Sequence, residues 1–166
     1  MSHEKLMRLV VTGVLTAFVC AATMVIKIPT PNGGYVNIGD AMVLLSAWIL
    51  GPVYGFFAAG VGSALADLFA GYGTYVAGTL IIKGCMAVVA ALLLRKASTL
   101  LAVIGAVIAE VIMVGGYFLY ESVLLGYGMA AAASIPGNLM QGAVSLVLAV
   151  LLYRVCQRRG LLDMVK

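Results

Sequence analysis

The feature that most constrains this chain is its long stretches without a charged side chain. One of them runs from Ala41 to Ala66, 26 residues without Asp, Glu, Lys or Arg. A helix crosses a membrane with about 20 apolar residues, whereas barrel strands alternate over about ten. Apolar residue types make up 64% of the 166 residues and charged types only 10%, too few polar groups to cover a soluble core. The sequence predicts a single-domain, all-α integral membrane protein and excludes a soluble enzyme, a coiled coil and a nucleic-acid-binding domain.

The apolar runs and their interruptions predict six transmembrane helices. Gly51-Pro52 falls near the middle of the run from Ala41 to Ala66, and proline breaks or kinks a helix. Two short spans joined by a tight turn therefore fit better than one helix of about 39 Å against about 30 Å of hydrocarbon. Pro- and Gly-rich residues 28–39 predict a loop, with Asp40 as the next N-cap. The predicted helix bounds are 6–27, 40–50, 52–68, 75–94, 99–120 and 133–155.

Basic residues cluster at the flanks of these runs, which predicts the orientation of the chain. Such clusters mark the cytoplasmic side of a membrane protein, and they are too thin for a nucleic-acid interface. They place both termini in the cytoplasm, and the loops that carry Tyr35 and Tyr127 outside. The clusters are Lys5 and Arg8, Arg95 and Lys96, and Arg154, Arg158, Arg159 and Lys166.

Lys83 and Glu110 lie near the middle of two predicted helices, at similar depth. Each ion costs about 2.5–3.5 kcal/mol at the bilayer centre, so such residues face a partner or a polar cavity. One interpretation is a structural ion pair between the two side chains. The other places one or both at the floor of a substrate pocket.

Other polar side chains collect in the outer halves of the last three predicted helices, whose inner halves are nearly pure Val, Leu and Ala. Residues spaced by three, four or seven share a helix face. This asymmetry predicts a pocket that opens outward, although bonds between helices alone could explain the amides. Asp67, at a predicted helix end, is assigned a capping or interfacial role. The predicted substrate-binding residues are Lys83, Glu110, Tyr117, Glu121, Asn138, Gln141, Asn37 and Tyr75.

No motif in the chain predicts catalysis, a metal site or a bound cofactor. The only histidine is His3, the three cysteines form no CxxC, and no GxxxxGK[ST] occurs, so a zinc site, a triad and a phosphate loop have no residues to form them. The first predicted helix carries Gly13, Ala17 and Ala21 on one face. Small residues let another helix approach closely, either within this chain or from another subunit.

Several short segments together resemble the substrate-binding S components of energy-coupling factor (ECF) transporters. They are Asn37–Ala41, Leu50–Gly55, Ala66–Leu68, Ile81–Gly84 and Ile135–Gln141. The resemblance implies a six-helix plasma-membrane protein that binds a vitamin from outside. It also implies docking, through the small-residue face of the first helix, onto a transmembrane T component with two cytoplasmic ATPases, which alone use ATP. The loop between the first two helices, roughly Pro29 to Asn37, would act as a gate.

The substrate and two competing functions stay open at this point. The chain looks closest to members for riboflavin-type, hydroxymethylpyrimidine or pyridoxine uptake, and its tyrosines, amides and charges of both signs suit a flat nitrogen-containing ring. A self-sufficient small secondary transporter, with the Lys83–Glu110 pair as a proton-linked switch, is one alternative. A membrane enzyme that uses Glu110 or Glu121 as acid or base is the other.

Overall fold

The computed structural model describes residues 2–94 and 98–160. Within this part of the chain, five helices are long and apolar enough to cross a membrane. The basic residues Arg95, Lys96 and Lys166, used to predict the topology, lie outside the described residues, and the cytoplasmic placement of both termini stays a prediction. The helices are α1 (His3–Val25), α2 (Asp40–Ala70), α3 (Val76–Leu93), α4 (Thr99–Leu119) and α5 (Ile135–Arg158).

Helix α2 reverses direction at the predicted break. Gly51 has φ 77° and ψ −176°, a left-handed φ that glycine adopts without the steric penalty of other residues. A Cβ on Gly55 would lie 3.0 Å from the Cα of Ala47, whereas residues eight apart in a straight helix are about 12 Å apart. The chain therefore doubles back at Gly51-Pro52. Six spans remain a prediction, because 40–50 gives a helix of only about 16 Å, half the hydrocarbon thickness.

The two halves of α2 form the centre of the bundle. They pack against α1, α3 and α5, and α4 packs against α3 and α5. Glycines bring these helices close, as small residues do in membrane proteins. A Cβ on Gly62 would lie 2.6 Å from the carbonyl oxygen of Thr16, and one on Gly60 would lie 2.6 Å from that of Leu80.

The predicted loop at 28–39 contains a small β-hairpin of two short strands, and the described structure otherwise agrees with the predicted all-α membrane protein. Strands β1 (Ile28–Pro29) and β2 (Tyr35–Val36) pair antiparallel across a turn. Gly33 takes φ 75° in that turn. The N–H of Thr30 donates to the carbonyl oxygen of Gly34 at 2.9 Å, which closes the turn of the hairpin. We call residues 28–39 the gating loop.

Helix α2 is not capped by Asp40, so that prediction is wrong. Gly39 occupies the N-cap position without a side-chain cap, and Asp40 is the first helical residue. No larger residue fits at Gly39, because its Cβ would lie 2.0 Å from Thr23 Oγ1. Asp40 is completely buried. Because its carboxylate does not cap the helix, it can form contacts inside the bundle.

Irregular helical turns join α4 to α5 and aim polar groups inward. A π-helical turn (Tyr120–Leu124) continues α4, and a 3₁₀ segment (Gly128–Ser134) leads into α5. The wider π turn shifts the residues that follow relative to the α-helical face. Glu121 is buried in this turn, with 2% of its surface exposed.

Candidate ligand-binding site

A small polar cavity lies between the gating loop and the helices. Its volume is about 20 Å³, roughly that of one water molecule. Six of the eight predicted binding residues line it, on the gating loop and on or next to α3, α4 and α5. They are Asn37, Tyr75, Lys83, Tyr117, Glu121 and Asn138. The structure thus brings most of the predicted residues together, while their contact with a ligand stays a prediction.

The expected ion pair between Lys83 and Glu110 is wrong. Lys83 Nζ instead forms a salt bridge with Asp40 Oδ1, and both side chains are almost fully buried. The gating loop enters the bundle before α2 begins, so Asp40 lies beside the middle of α3. Burying either ion alone would be costly, and the pair with its hydrogen bonds offsets that cost.

Glu110 lies outside the cavity. It lines an apolar groove between α4 and α5 together with Val107, Gly142 and Leu146. Neither carboxylate oxygen has a hydrogen-bond partner among the described residues. Glu110 therefore has no geometric relation to the cavity that supports contact with a ligand bound there.

Gln141 also lies outside the cavity lining, but it contacts the gating loop. Its Oε1 accepts a hydrogen bond from the backbone N–H of Asn37 at 2.7 Å, and its Nε2 donates to Asp40 Oδ2 at 2.6 Å. Gln141 is 5% exposed. Its role in this structure is to join the loop to the buried ion pair.

Glu121 holds the gating loop at the turn of its hairpin. Its Oε2 accepts hydrogen bonds from Asn32 Nδ2 at 2.9 Å and Ser134 Oγ at 2.7 Å, and the Tyr75 hydroxyl lies 3.2 Å from Oε1. Burial, and next the charge of Glu121, raises the pKa of Tyr75, so its hydroxyl stays protonated and can donate. These three donors already bind the Glu121 carboxylate, and through Asn32 the carboxylate holds the gating loop.

Asp67 is the main site residue that the sequence interpretation missed. It is 4% exposed and lines the cavity, and its Oδ1 accepts a hydrogen bond from Tyr35 of the gating loop at 2.7 Å. It does not act as a cap; the left-handed Gly71 ends the helix instead. The signal was the spacing: Ser63 lies four residues before Asp67, on the same helix face. Ser63 also lines the cavity.

Three polar oxygens in the cavity wall lack a partner. Thr30 Oγ1, Ser63 Oγ and Asp67 Oδ2 are buried and make no hydrogen bond among the described residues. Buried polar groups are nearly always paired, so each such atom requires an explanation. Their common position in one cavity indicates a place where a ligand can supply the missing partners.

Other residues of the cavity wall are aromatic or cationic. Tyr117 Oη and Thr79 Oγ1 are 2.9 Å apart, and the ring centroids of Tyr117 and Tyr75 are 6.4 Å apart. Lys83 Nζ lies 5.3 Å from the centroid of the Tyr117 ring, within the range of a cation–π contact.

The family model for the S component of ECF-type riboflavin transporters matches residues 4–158. This chain belongs to that family. The S component is a multi-pass protein of the plasma membrane and a vitamin-type substrate-binding subunit for transport. It is not an enzyme, so the enzyme alternative is wrong.

Individual relatives agree with this membership. The S component is 28% identical over 98% of its length to the thiamine precursor transporter HmpT of Lactococcus lactis, 95% of which is covered. It is 36% identical over 78% of its length to an uncharacterized protein of Pyrococcus woesei, 88% of which is covered. It also resembles a solved S component of a bacterial ECF transporter, with a TM-score of 0.74 and 28% identity, covering 91% of this chain and 95% of that one.

Proposed function

We propose that this S component captures a single-ring vitamin precursor of the hydroxymethylpyrimidine type from outside, in the cavity beneath the gating loop. The observation that carries the proposal is the set of unpartnered oxygens of Thr30, Ser63 and Asp67 in that cavity. A ligand that brings hydrogen-bond donors would satisfy them. The S component then delivers its ligand with a T component and two ATPases, as the family does in general.

The chemistry of the cavity wall fits an aminopyrimidine. The exocyclic amino group of such a ring can donate to Asp67 Oδ2, and the neighbouring ring nitrogen can accept a hydrogen bond from the hydroxyl of Ser63. Lys83 has ammonium protons beyond the one directed at Asp40, and these can reach an acceptor such as the hydroxymethyl oxygen. Tyr117 offers a ring face for stacking. Few, well-placed polar groups in an otherwise apolar wall are typical of small-molecule sites.

The size of the cavity favours a small ligand over a large one. A cavity of roughly 150 Å³ holds benzene, so a space of about 20 Å³ must expand before any ring enters. The expansion is least for one ring and greatest for the fused three-ring system of riboflavin. Pyridoxine has one ring but no amino group for Asp67. The curated relative HmpT, a thiamine precursor transporter by name, adds support.

The required expansion assigns a gating role to the loop that covers the cavity. The loop is held by polar contacts: Asn32 with Glu121, Tyr35 with Asp67, and the Asn37 N–H with Gln141. A net hydrogen bond is worth only about 0.5–1.5 kcal/mol, so these contacts can break and re-form. Opening of the loop would widen the cavity toward the outside.

A ligand panel tests this function directly. The protein in lipid nanodiscs is titrated with hydroxymethylpyrimidine, pyridoxine and riboflavin by calorimetry, and native mass spectrometry identifies any ligand that co-purifies. We expect one hydroxymethylpyrimidine per chain and the tightest binding for that compound. Tighter binding of riboflavin or pyridoxine would overturn the ligand class. Failure of all three to bind would overturn the proposed function.

We also propose that the T component docks on the small-residue face of α1. Gly13, Ala17 and Ala21 are all exposed among the described residues, which favours docking of another subunit over packing of this face within the chain. Leu15, Val19 and Thr23 are the buried residues of α1. The face forms a shallow groove with Leu65 and Phe69, and a helix with small residues of its own could approach it closely. Such docking makes the subunit dependent on partners, unlike a self-sufficient secondary transporter.

Substitution of Ala17 by Trp is expected to reduce ATP-driven uptake at least about tenfold, because the indole prevents close approach of a helix. Ligand binding by the isolated protein is expected to stay within twofold. Uptake by vesicles that contain the T component and ATPases, and calorimetry on the isolated protein, measure the two effects. Phe18→Trp, exposed on a neighbouring face, is the control and should transport normally. Equal loss of binding and uptake in Ala17→Trp would contradict the docking role.

A further inference from the structure

A continuous chain of hydrogen bonds joins the cavity to the end of the gating loop. Lys83, which lines the cavity, donates to Asp40 Oδ1. The second oxygen of Asp40 accepts from Gln141 Nε2, and Gln141 Oε1 accepts from the backbone N–H of Asn37. Side chains of α2, α3 and α5 thus link a ligand-facing ammonium to the backbone of the loop.

The three side chains in this chain of bonds are buried, and its last link, to the backbone N–H of Asn37, is partly buried. Asp40 is 0%, Lys83 2% and Gln141 5% exposed. Hydrogen bonds in such a low-dielectric interior polarise one another, and a partner lost there is not replaced by solvent. If the loop lifts away, Gln141 Oε1 loses the Asn37 N–H.

The amide of Gln141 can act here in one orientation only. Its NH₂ group must face the Asp40 carboxylate, and its oxygen must face the N–H of Asn37. In the reverse orientation the amide oxygen would face the carboxylate oxygen, two acceptors, and the NH₂ group would face the N–H, two donors. The Asp40 carboxylate therefore sets the orientation of the amide. The Lys83 ammonium in turn holds that carboxylate.

The end of the loop is shaped to receive this contact. Asn37 Oδ1 accepts a hydrogen bond from the N–H of Gly39 at 2.8 Å, which fixes the turn between the loop and α2. Gly39 itself is packed against Thr23 without room for a side chain. The turn is therefore rigid next to Asn37, and the Asn37 N–H points at Gln141.

We propose that Gln141 is the positioning residue that couples occupancy of the cavity to closure of the gating loop. This inference rests on the proposed function. A ligand acceptor bound to Lys83 holds the ammonium on Asp40; Asp40 then holds the Gln141 amide, and the amide holds the loop closed. Gln141 acts on the ligand through the loop and does not touch it, in agreement with its place outside the cavity lining.

The test compares Gln141→Met with Ser145→Ala in nanodiscs. Met keeps the length of the side chain and removes both hydrogen bonds. Ser145 lies four residues further along α5, is buried, and has an Oγ without a partner among the described residues. Hydrogen exchange of the peptide covering 28–39 is measured without ligand. Dissociation and association rates of hydroxymethylpyrimidine are then measured by rapid mixing.

We expect faster exchange of the loop in Gln141→Met and a dissociation rate raised about 5- to 30-fold, since the bound state loses the loop contact and buries unpaired groups. The association rate should change less than twofold. Ser145→Ala should match the wild type in all three measurements. If Gln141→Met fails to fold, Gln141→Asn replaces it, because that amide is one methylene too short to reach both partners.

The possible failures are distinguishable. Loop exchange in Gln141→Met equal to that in Ser145→Ala would overturn the fastening, whatever the ligand is. Faster exchange with an unchanged dissociation rate would overturn the coupling. If hydroxymethylpyrimidine does not bind to the wild type, the proposed ligand class is wrong. The rates are then measured with pyridoxine or riboflavin, whichever binds. If none binds, the proposed function and the coupling both fall.

Discussion

Substitution of Lys83 by Met is expected to destabilise the S component by about 3–5 kcal/mol, because it leaves Asp40 as an unpaired buried charge. Asp40 is completely buried and would keep only its bond from Gln141. The free energy of unfolding, from denaturant titration of the protein in detergent, measures the loss. The double substitution Lys83→Met with Asp40→Asn removes both charges and should recover most of the stability.

A second double substitution decides which carboxylate is the partner. Glu110→Gln added to Lys83→Met should recover little, because Lys83 contacts Asp40 in the structure. Glu110→Gln alone is the matched control: it changes a buried carboxyl without a partner among the described residues, so it should not lower stability. Recovery with Glu110→Gln, but not with Asp40→Asn, would restore the pair expected from the sequence and refute the one in the structure.

The origin of this difference shows what a helix-by-helix interpretation of the sequence can predict. The apolar runs and Gly51-Pro52 predict where the helices lie and where the long one breaks, because hydrophobic length and proline sterics act locally. The depth of Asp40 in the bundle is not determined by local sequence features. It depends on the gating loop entering the bundle, and counting residues from a membrane surface places Asp40 at the rim instead.

The site divides in the same way. Spacing and depth are enough to gather Lys83, Tyr117 and Asn138, since regular helices carry residues at known intervals onto one face. The same spacing also includes Glu121, four residues after Tyr117, although its inward direction in the structure depends on a π-helical turn that no hydrophobic period reveals. Spacing is not enough for Glu110, which lies seven residues before Tyr117 but lines the groove between α4 and α5. Asp67 was missed because a charged residue at the end of an apolar run is usually a cap or an interfacial residue. Only the fold shows that it meets Tyr35 beneath the loop.

Loss of the Asp67 carboxylate is expected to have the largest effect on ligand recognition. Asp67→Asn keeps the shape of the side chain and an oxygen that can still accept from Tyr35. However, the new NH₂ group is a donor where the amino group of an aminopyrimidine needs an acceptor. A hydrogen bond to a charged group is worth about 1.5–3 kcal/mol, so the affinity for hydroxymethylpyrimidine should fall about 10- to 150-fold. Calorimetry on the purified protein measures it.

Two further variants separate recognition by Asp67 from its contact with the gating loop. Tyr35→Phe removes the hydroxyl that bonds to Asp67 Oδ1 and leaves the carboxylate in place. If Asp67 contacts the ligand, Tyr35→Phe should cost clearly less affinity than Asp67→Asn. Ser63→Ala removes a neutral partner on the same helix face, and its loss should be nearer 0.5–1.5 kcal/mol, about 2- to 13-fold. Equal losses in Tyr35→Phe and Asp67→Asn would mean that Asp67 only holds the loop. Lys83 and the hydroxyl groups would then be the groups that bind the polar edge of the ligand. This set of groups does not favour an amino-bearing ring over pyridoxine.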